Sequence, residues 1–144
     1  MIAVDTNILV YYHRIDNKWH EEARKTILSL HESSDTWVIP YPCVSEFLAI
    51  VTHPKIFNRP TPLEEALKEI QYLSESPNLY FISEGNNFMK IFSKILIQAK
   101  LSGPKIHDAR IAAIAIENEV SCLYSLDRDF SRIKDLKVAN PFLR

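Results

Sequence analysis

Four carboxylates sit where acidic side chains are expensive. Asp5 follows the apolar run Ile2–Val4, Glu46 lies inside Cys43–Val51, Asp108 precedes the alanine-rich stretch Ile111–Ile116, and Asp127 follows Cys122–Leu126. An ionised carboxylate buried without a partner is strongly unfavourable. Asp5, Asp108 and Asp127 each have an ordinary role open to them, as a helix N-cap or a first-turn anion at the favourable end of the helix dipole. Glu46 does not, because it lies past the capping position among residues that should face the core. Gathered carboxylates repel and raise one another's pKa values, so such a group persists when a cation neutralises it. A set of oxygen ligands alone selects Mg²⁺, with Mn²⁺ as a substitute, over zinc.

The elements that must position these groups alternate along the chain. Apolar runs at Ile2–Val4, Trp37–Ile39, Leu79–Ile82, Cys122–Leu126 and, more weakly, Leu136–Ala139 predict strands. They are apolar on successive residues, which predicts a mainly parallel sheet of four to five strands covered on both faces by helices. Helices are expected over about Lys18–Leu30, Val44–Thr52, Asn87–Leu101 and Ile106–Glu119. Another should follow the capping box Thr61-Pro62-Leu63-Glu64 and end before Pro77. Ligands of an open parallel sheet bind at the carboxyl ends of its strands. Asp5 and Asp127 lie at those ends, and Glu46 and Asp108 lie near the starts of helices returning from them, so the four are expected to converge in one cleft. The other acidic residues singled out, Glu21, Glu22, Glu64, Glu65, Glu69, Glu117 and Glu119, read as polar helix faces.

Composition narrows the alternatives. A chain of 144 residues, 47% hydrophobic and 24% charged, fits a single domain over residues 1–144. Its two glycines, Gly85 and Gly103, exclude both phosphate-binding glycine motifs, so no nucleotide cofactor is expected. Cys43 and Cys122 form no C-x-x-C pair and read as inert core thiols, which points to a reducing, cytoplasmic setting. No basic leader is expected, and no apolar run approaches the roughly 18–20 residues of a membrane span. His13, His20, His31, His53 and His107 form no ligand pair, and only His107 adjoins the expected cleft. The Ser83-Glu84-Gly85 that follows the third strand lacks the aspartate a phosphoacceptor receiver needs. The net charge of −1 argues against a broad cationic coat. With the four carboxylates set aside as ligands, 17 positive groups face 14 negative ones, a balance of +3.

Four segments, Met1-Ile-Ala-Val-Asp-Thr-Asn-Ile8, Pro42-Cys-Val-Ser-Glu-Phe47, Asp108-Ala-Arg110 and Ser125-Leu-Asp-Arg-Asp-Phe130, resemble in order the signature segments of PIN domains. The closest likeness is to VapC-type toxins, the ribonuclease halves of type II toxin–antitoxin systems, and it spans essentially the whole chain. The resemblance implies a three-layer α/β/α fold and a metal-dependent endoribonuclease that leaves a 5′-phosphate and a 3′-hydroxyl. It implies that Asp5, Glu46, Asp108 and Asp127 bind metal, that Asn7 and Ser125 support them, and that Asp129 is secondary. It also implies an antitoxin partner and a homodimer. Metal-held carboxylates would activate water for in-line attack on a phosphodiester, with no covalent enzyme intermediate. Lys105, Arg110, Arg128 and Arg132 are the cations expected to hold RNA, with an ion pair to the acidic cluster an equal alternative for Arg110. Tyr11, Tyr12 and Trp19 are either base-stacking groups or core residues. The reading from another class is a non-catalytic PIN-like module that binds RNA or protein.

Overall fold

The chain adopts a parallel sheet whose strand order places the ends of the first and fourth strands side by side. The computed structural model describes residues 1–143. The strands are β1 (Ile2–Val4), β2 (Trp37–Pro40), β3 (Leu79–Ile82), β4 (Cys122–Tyr124) and β5 (Val138–Ala139). All pairings are parallel and the order is β3-β2-β1-β4-β5. The sheet therefore grows outward from β1 in both directions, and the winding reverses between β1 and β4. That reversal opens a crevice at the strand carboxyl ends. In register, Val4 lies beside Tyr124, so Asp5 and Ser125 emerge next to each other.

The helices are α1 (Thr6–His13), α2 (His20–Glu32), α3 (Tyr41–Val51), α4 (Leu63–Ser74), α5 (Phe88–Ala99) and α6 (Lys105–Glu117), with a short 3-10 helix over Arg128–Arg132. Helix α1 packs on α2 and α3, α3 packs on α4, and α5 pairs with α6. Strand β2 is buried at all four residues, as its unbroken apolar run requires. The alanines of α6 (Ala109, Ala112, Ala113 and Ala115) are fully buried, so this helix lies close against its neighbours. Among the described residues no helix is long and apolar enough to cross a membrane.

Two expectations about helix starts change. Helix α3 begins at Tyr41 and not at Val44, because Pro42 suits the first turn and Pro40 ends the strand in extended backbone. The capping box at Thr61 does not form: α4 starts after Pro62 with no side-chain cap. The Thr61 hydroxyl instead accepts from Arg14 Nη1 at 3.2 Å and bonds His13 Nε2 at 3.0 Å. A long-range partner has outcompeted the local one. Glu117 is likewise no plain surface acid, since its carboxylate accepts from the backbone N–H of Gly85 at 2.6 Å and of Asn87 at 2.8 Å. A Cβ at position 85 would lie 2.7 Å from Glu117 Oε2, so a larger residue there would push the carboxylate off these two N–H groups.

Asn78 ties the far end of the sheet together. Its amide nitrogen donates to the carbonyls of Leu30, Ser33 and Asp35 at 2.8–2.9 Å, and its oxygen accepts from Trp37 Nε1 at 3.3 Å. Asn78→Ala should lower unfolding stability by about 2–3 kcal/mol, because it strands three carbonyls and the N–H of a buried tryptophan. Denaturant titration followed by tryptophan fluorescence measures this.

Candidate active site

The site is built on the junction of β1 and α1. Asp5 ends the strand with extended backbone and caps α1, its Oδ1 accepting from the Thr6 N–H at 2.8 Å. Its backbone N–H donates to the Tyr124 carbonyl, which locks the cap to β4. The carboxylate is buried, and each oxygen receives further donors: the Ser125 hydroxyl at 2.6 Å and Asn7 Nδ2 at 3.5 Å on Oδ2, and the Cys43 thiol at 3.7 Å on Oδ1. Burial nevertheless raises its pKa to about 6, against the lowering effect of the Ser125 and Thr6 bonds, with Glu46 and Asp127 adding repulsion.

Asn7 and Ser125 form a cross-strand brace. Asn7 Nδ2 donates to Ser125 Oγ at 3.2 Å, and Ser125 Oγ accepts from the Asp127 N–H at 3.0 Å. The serine thus passes the orientation of Asp5 on to the loop after β4. There Asp127 caps the 3-10 helix by accepting from the Asp129 N–H at 2.8 Å. The cap bends the chain back, so that Asp127 and Asp129 meet Asp108 in the first turn of α6, each offering a carboxylate oxygen within 4.8 Å of the others. Asp108 has a pKa raised to about 6 by burial first, then by Asp127, Asp5 and Asp129. Glu46 lies across the cleft on α3, where its Oε2 accepts from the Thr6 hydroxyl at 3.3 Å. Its pKa is raised by burial and by Asp108, and lowered by that hydroxyl.

The four expected carboxylates do gather, but the tightest group is Asp108, Asp127 and Asp129. Asp129, read as secondary, belongs to it, whereas Asp5 stands behind it and Glu46 beside it. Capping geometry decides this, and the Asp-x-Asp spacing is its sequence signal. Among the described residues no protein cation is paired with the group. Arg110 pairs with Glu84 at 3.0 Å and not with the acidic cluster, although its charge reaches Glu46 and lowers that carboxyl's pKa. Arg132 donates to the Ala99 carbonyl and borders a cavity with Lys94 and Lys134. Trp19 and Tyr11 pack against Phe142, and Tyr12 is half-buried, so these aromatics serve packing. Lys105 is half-buried at the start of α6, His107 is exposed beside the cluster, and Arg128 is exposed next to Asp127.

A crowded set of hard oxygen donors with no cation paired to it among the described residues suits a divalent cation. The profile of the PIN domain matches residues 2–136. The chain belongs to the PIN domain family. It is 30% identical over 141 residues to the VapC ribonuclease Mb2897 of Mycobacterium bovis, covering 98% of this chain and 95% of the relative. It is equally identical to the ribonuclease VapC25 of Mycobacterium tuberculosis, covering 98% and 99%. Among solved structures, VapBC2 of Rickettsia felis bound to a promoter DNA fragment superposes with a TM-score of 0.69 at 21% identity, covering 96% of this chain and 98% of that one. This PIN domain therefore sits among the VapC ribonucleases, and it has the parallel five-stranded α/β architecture that its motifs implied.

The raised pKa values carry a signed consequence. Asp5 and Asp108 bind protons more tightly folded than unfolded, so their contribution to stability is fully present below about pH 4. It is lost as pH rises through about 6. Chelator-treated protein should lose thermal stability across that window, and Mg²⁺ or Mn²⁺ should restore it at pH 7.5 more than at pH 5. Asp108→Asn should raise the Tm of the chelated protein at pH 7.5 by about 2–4 °C, the equivalent of about 1 kcal/mol, and should abolish the metal-induced shift. Differential scanning calorimetry reads both.

Proposed function

We propose that this chain is a Mg²⁺-dependent endoribonuclease and the toxin of a toxin–antitoxin pair. The observation that carries the reading is the Asp108–Asp127–Asp129 group, backed by the braced carboxylate of Asp5 and open to solvent at the sheet's switch point. Kinship with proteins named VapC ribonucleases supplies the substrate class. Asp108, Asp127 and Asp129 would hold the cation, with Asp5 and Glu46 completing its surroundings. A bound divalent cation supplies Lewis-acid activation of water and neutralises charge on the phosphodiester.

The residues of the chain account for the rest of the chemistry. Asp5 stays fixed because its oxygens receive donors from α1, α3 and β4, so its orientation costs nothing during turnover. Ser125 is no nucleophile here, since its hydroxyl proton is committed to Asp5 Oδ2. The Cys43 thiol is fully buried and held well above its ordinary pKa by that burial and by Asp5, so it is not available as a thiolate. Neither side chain competes with water as the attacking group, and the resemblance to PIN ribonucleases implies that hydrolysis leaves a 5′-phosphate and a 3′-hydroxyl, not the 2′,3′-cyclic phosphate that attack by the RNA's own 2′-hydroxyl would give.

The partners follow from surface and kinship. Helix α5 buries only Ile95 fully, while Met89 and Ile97 are 62% and 76% exposed and Tyr80 on edge strand β3 is 59% exposed. Such apolar area supports a homodimer. Toxin–antitoxin complexes among the similar folds support an antitoxin partner.

RNA cleavage should disappear in EDTA and return with Mg²⁺ or Mn²⁺. Asp127→Asn should abolish it, while Ser125→Ala should reduce it about 10–100-fold by loosening Asp5 without removing a carboxylate. A gel-based assay on total RNA, with mapping of end groups, checks each result. Undiminished cleavage in EDTA would refute the proposal.

A further inference from the structure

Next to the acidic group, on the outer side of the sheet, runs a cavity of about 630 Å³ between the 3-10 helix and β5. Ser125 and Asp127 are among its lining residues, so it adjoins the candidate metal centre through Asp127. Its floor is apolar, made by Phe130, Ile133 and Leu136, all buried. Arg128, Lys134 and Lys137 line it, and all three are exposed. None has a carboxylate within ion-pairing distance among the described residues. These are the cations that the near-neutral composition concealed. Of the four named from sequence, Arg110 and Arg132 have partners elsewhere, whereas Lys134 and Lys137 were not singled out at all.

Three uncompensated cations leading from a carboxylate cluster match the repeating negative charge of a phosphodiester backbone. β5 is the edge strand on this side, so no further strand covers the groove. We infer that this groove carries the RNA strand on one side of the scissile phosphate, with Lys134 and Lys137 as its phosphate-binding residues. Arg128, adjacent to Asp127, would contact the phosphate nearest the cut. The inference rests on the nuclease reading of the neighbouring carboxylates, but binding can be measured apart from cleavage.

The test uses the full chain carrying Asp108→Asn, with and without Lys134→Ala/Lys137→Ala, and a fluorescently labelled single-stranded RNA. Anisotropy is recorded across a salt series. Losing two phosphate contacts should reduce the slope of log Kd against log salt by about 1.4 and weaken binding about tenfold near physiological salt. Lys134→Arg/Lys137→Arg should keep both the slope and the affinity. An unchanged slope and affinity in the alanine pair overturns the assignment, as does an equal loss from Lys68→Ala/Lys90→Ala, on α4 and α5. If the groove were instead a seat for an acidic protein segment, the alanine pair would lose polyglutamate binding and keep RNA binding, which also overturns it. In parallel, the pair is made in the otherwise unmodified chain and assayed for cleavage. Wild-type chain that binds RNA through the groove and never cuts it would defeat the nuclease reading alone. Cutting with undiminished affinity in the alanine pair would defeat the groove alone.

Discussion

The structure depends on keeping one carboxylate ionisable where water is nearly excluded. Asp5 is buried between the end of β1 and the start of α1, and burial opposes its charge. The fold answers with donors drawn from distant parts of the chain: the Thr6 N–H, the Ser125 hydroxyl, Asn7 and the Cys43 thiol. None of these is a cation. The charge is solvated without being neutralised, which leaves its negative field directed at the cleft. A buried arginine in the same place would stabilise the apo fold and cancel that field.

From that constraint the arrangement of the rest follows. Ser125 must follow β4 in register with Asp5, and so β4 must neighbour β1, which is the pairing that makes the switch point. The same hydroxyl receives the Asp127 N–H, and the Asp127 cap in turn places Asp129. One chain of hydrogen bonds thus connects the first strand to the acidic trio. Two nearby arginines have partners of their own: Glu84 holds Arg110 two residues past Asp108, and the Ala99 carbonyl holds Arg132. The centre stays anionic while basic side chains stand around it, and the near-zero net charge is the sum of these two regions.

Much of this was legible in the residues themselves. The five apolar runs became the five strands, and the inner three, β1, β2 and β4, are apolar throughout because both their faces are covered, whereas edge strand β3 leaves Tyr80 exposed. Glu46 announced itself by interrupting an apolar helix, and Asp5 and Asp127 by ending strands. Less legible were the partners of residues with two options. Thr61 had a local capping role and took His13 and Arg14 instead, since a half-buried histidine bridging two segments recruits acceptors that a helix end in solvent does not need. Glu117 looked like a solvated helix face, yet it accepts two backbone N–H groups from the loop after β3.

By itself, then, the sequence determined the element types, the parallel sheet, the edge where chemistry can occur and the acidic residues near it. These follow from local periodicity and from the cost of placing charge beside apolar runs, both of which are properties of neighbouring residues. Only the tertiary structure decided which carboxylates share a site most tightly, that Asp129 ranks with Asp108 and Asp127, and which cations remain uncompensated. Electrostatic and hydrogen-bond partners are chosen by distance in space, and the reversal of winding between β1 and β4 brings together residues about 120 positions apart. No spacing along the chain encodes that choice.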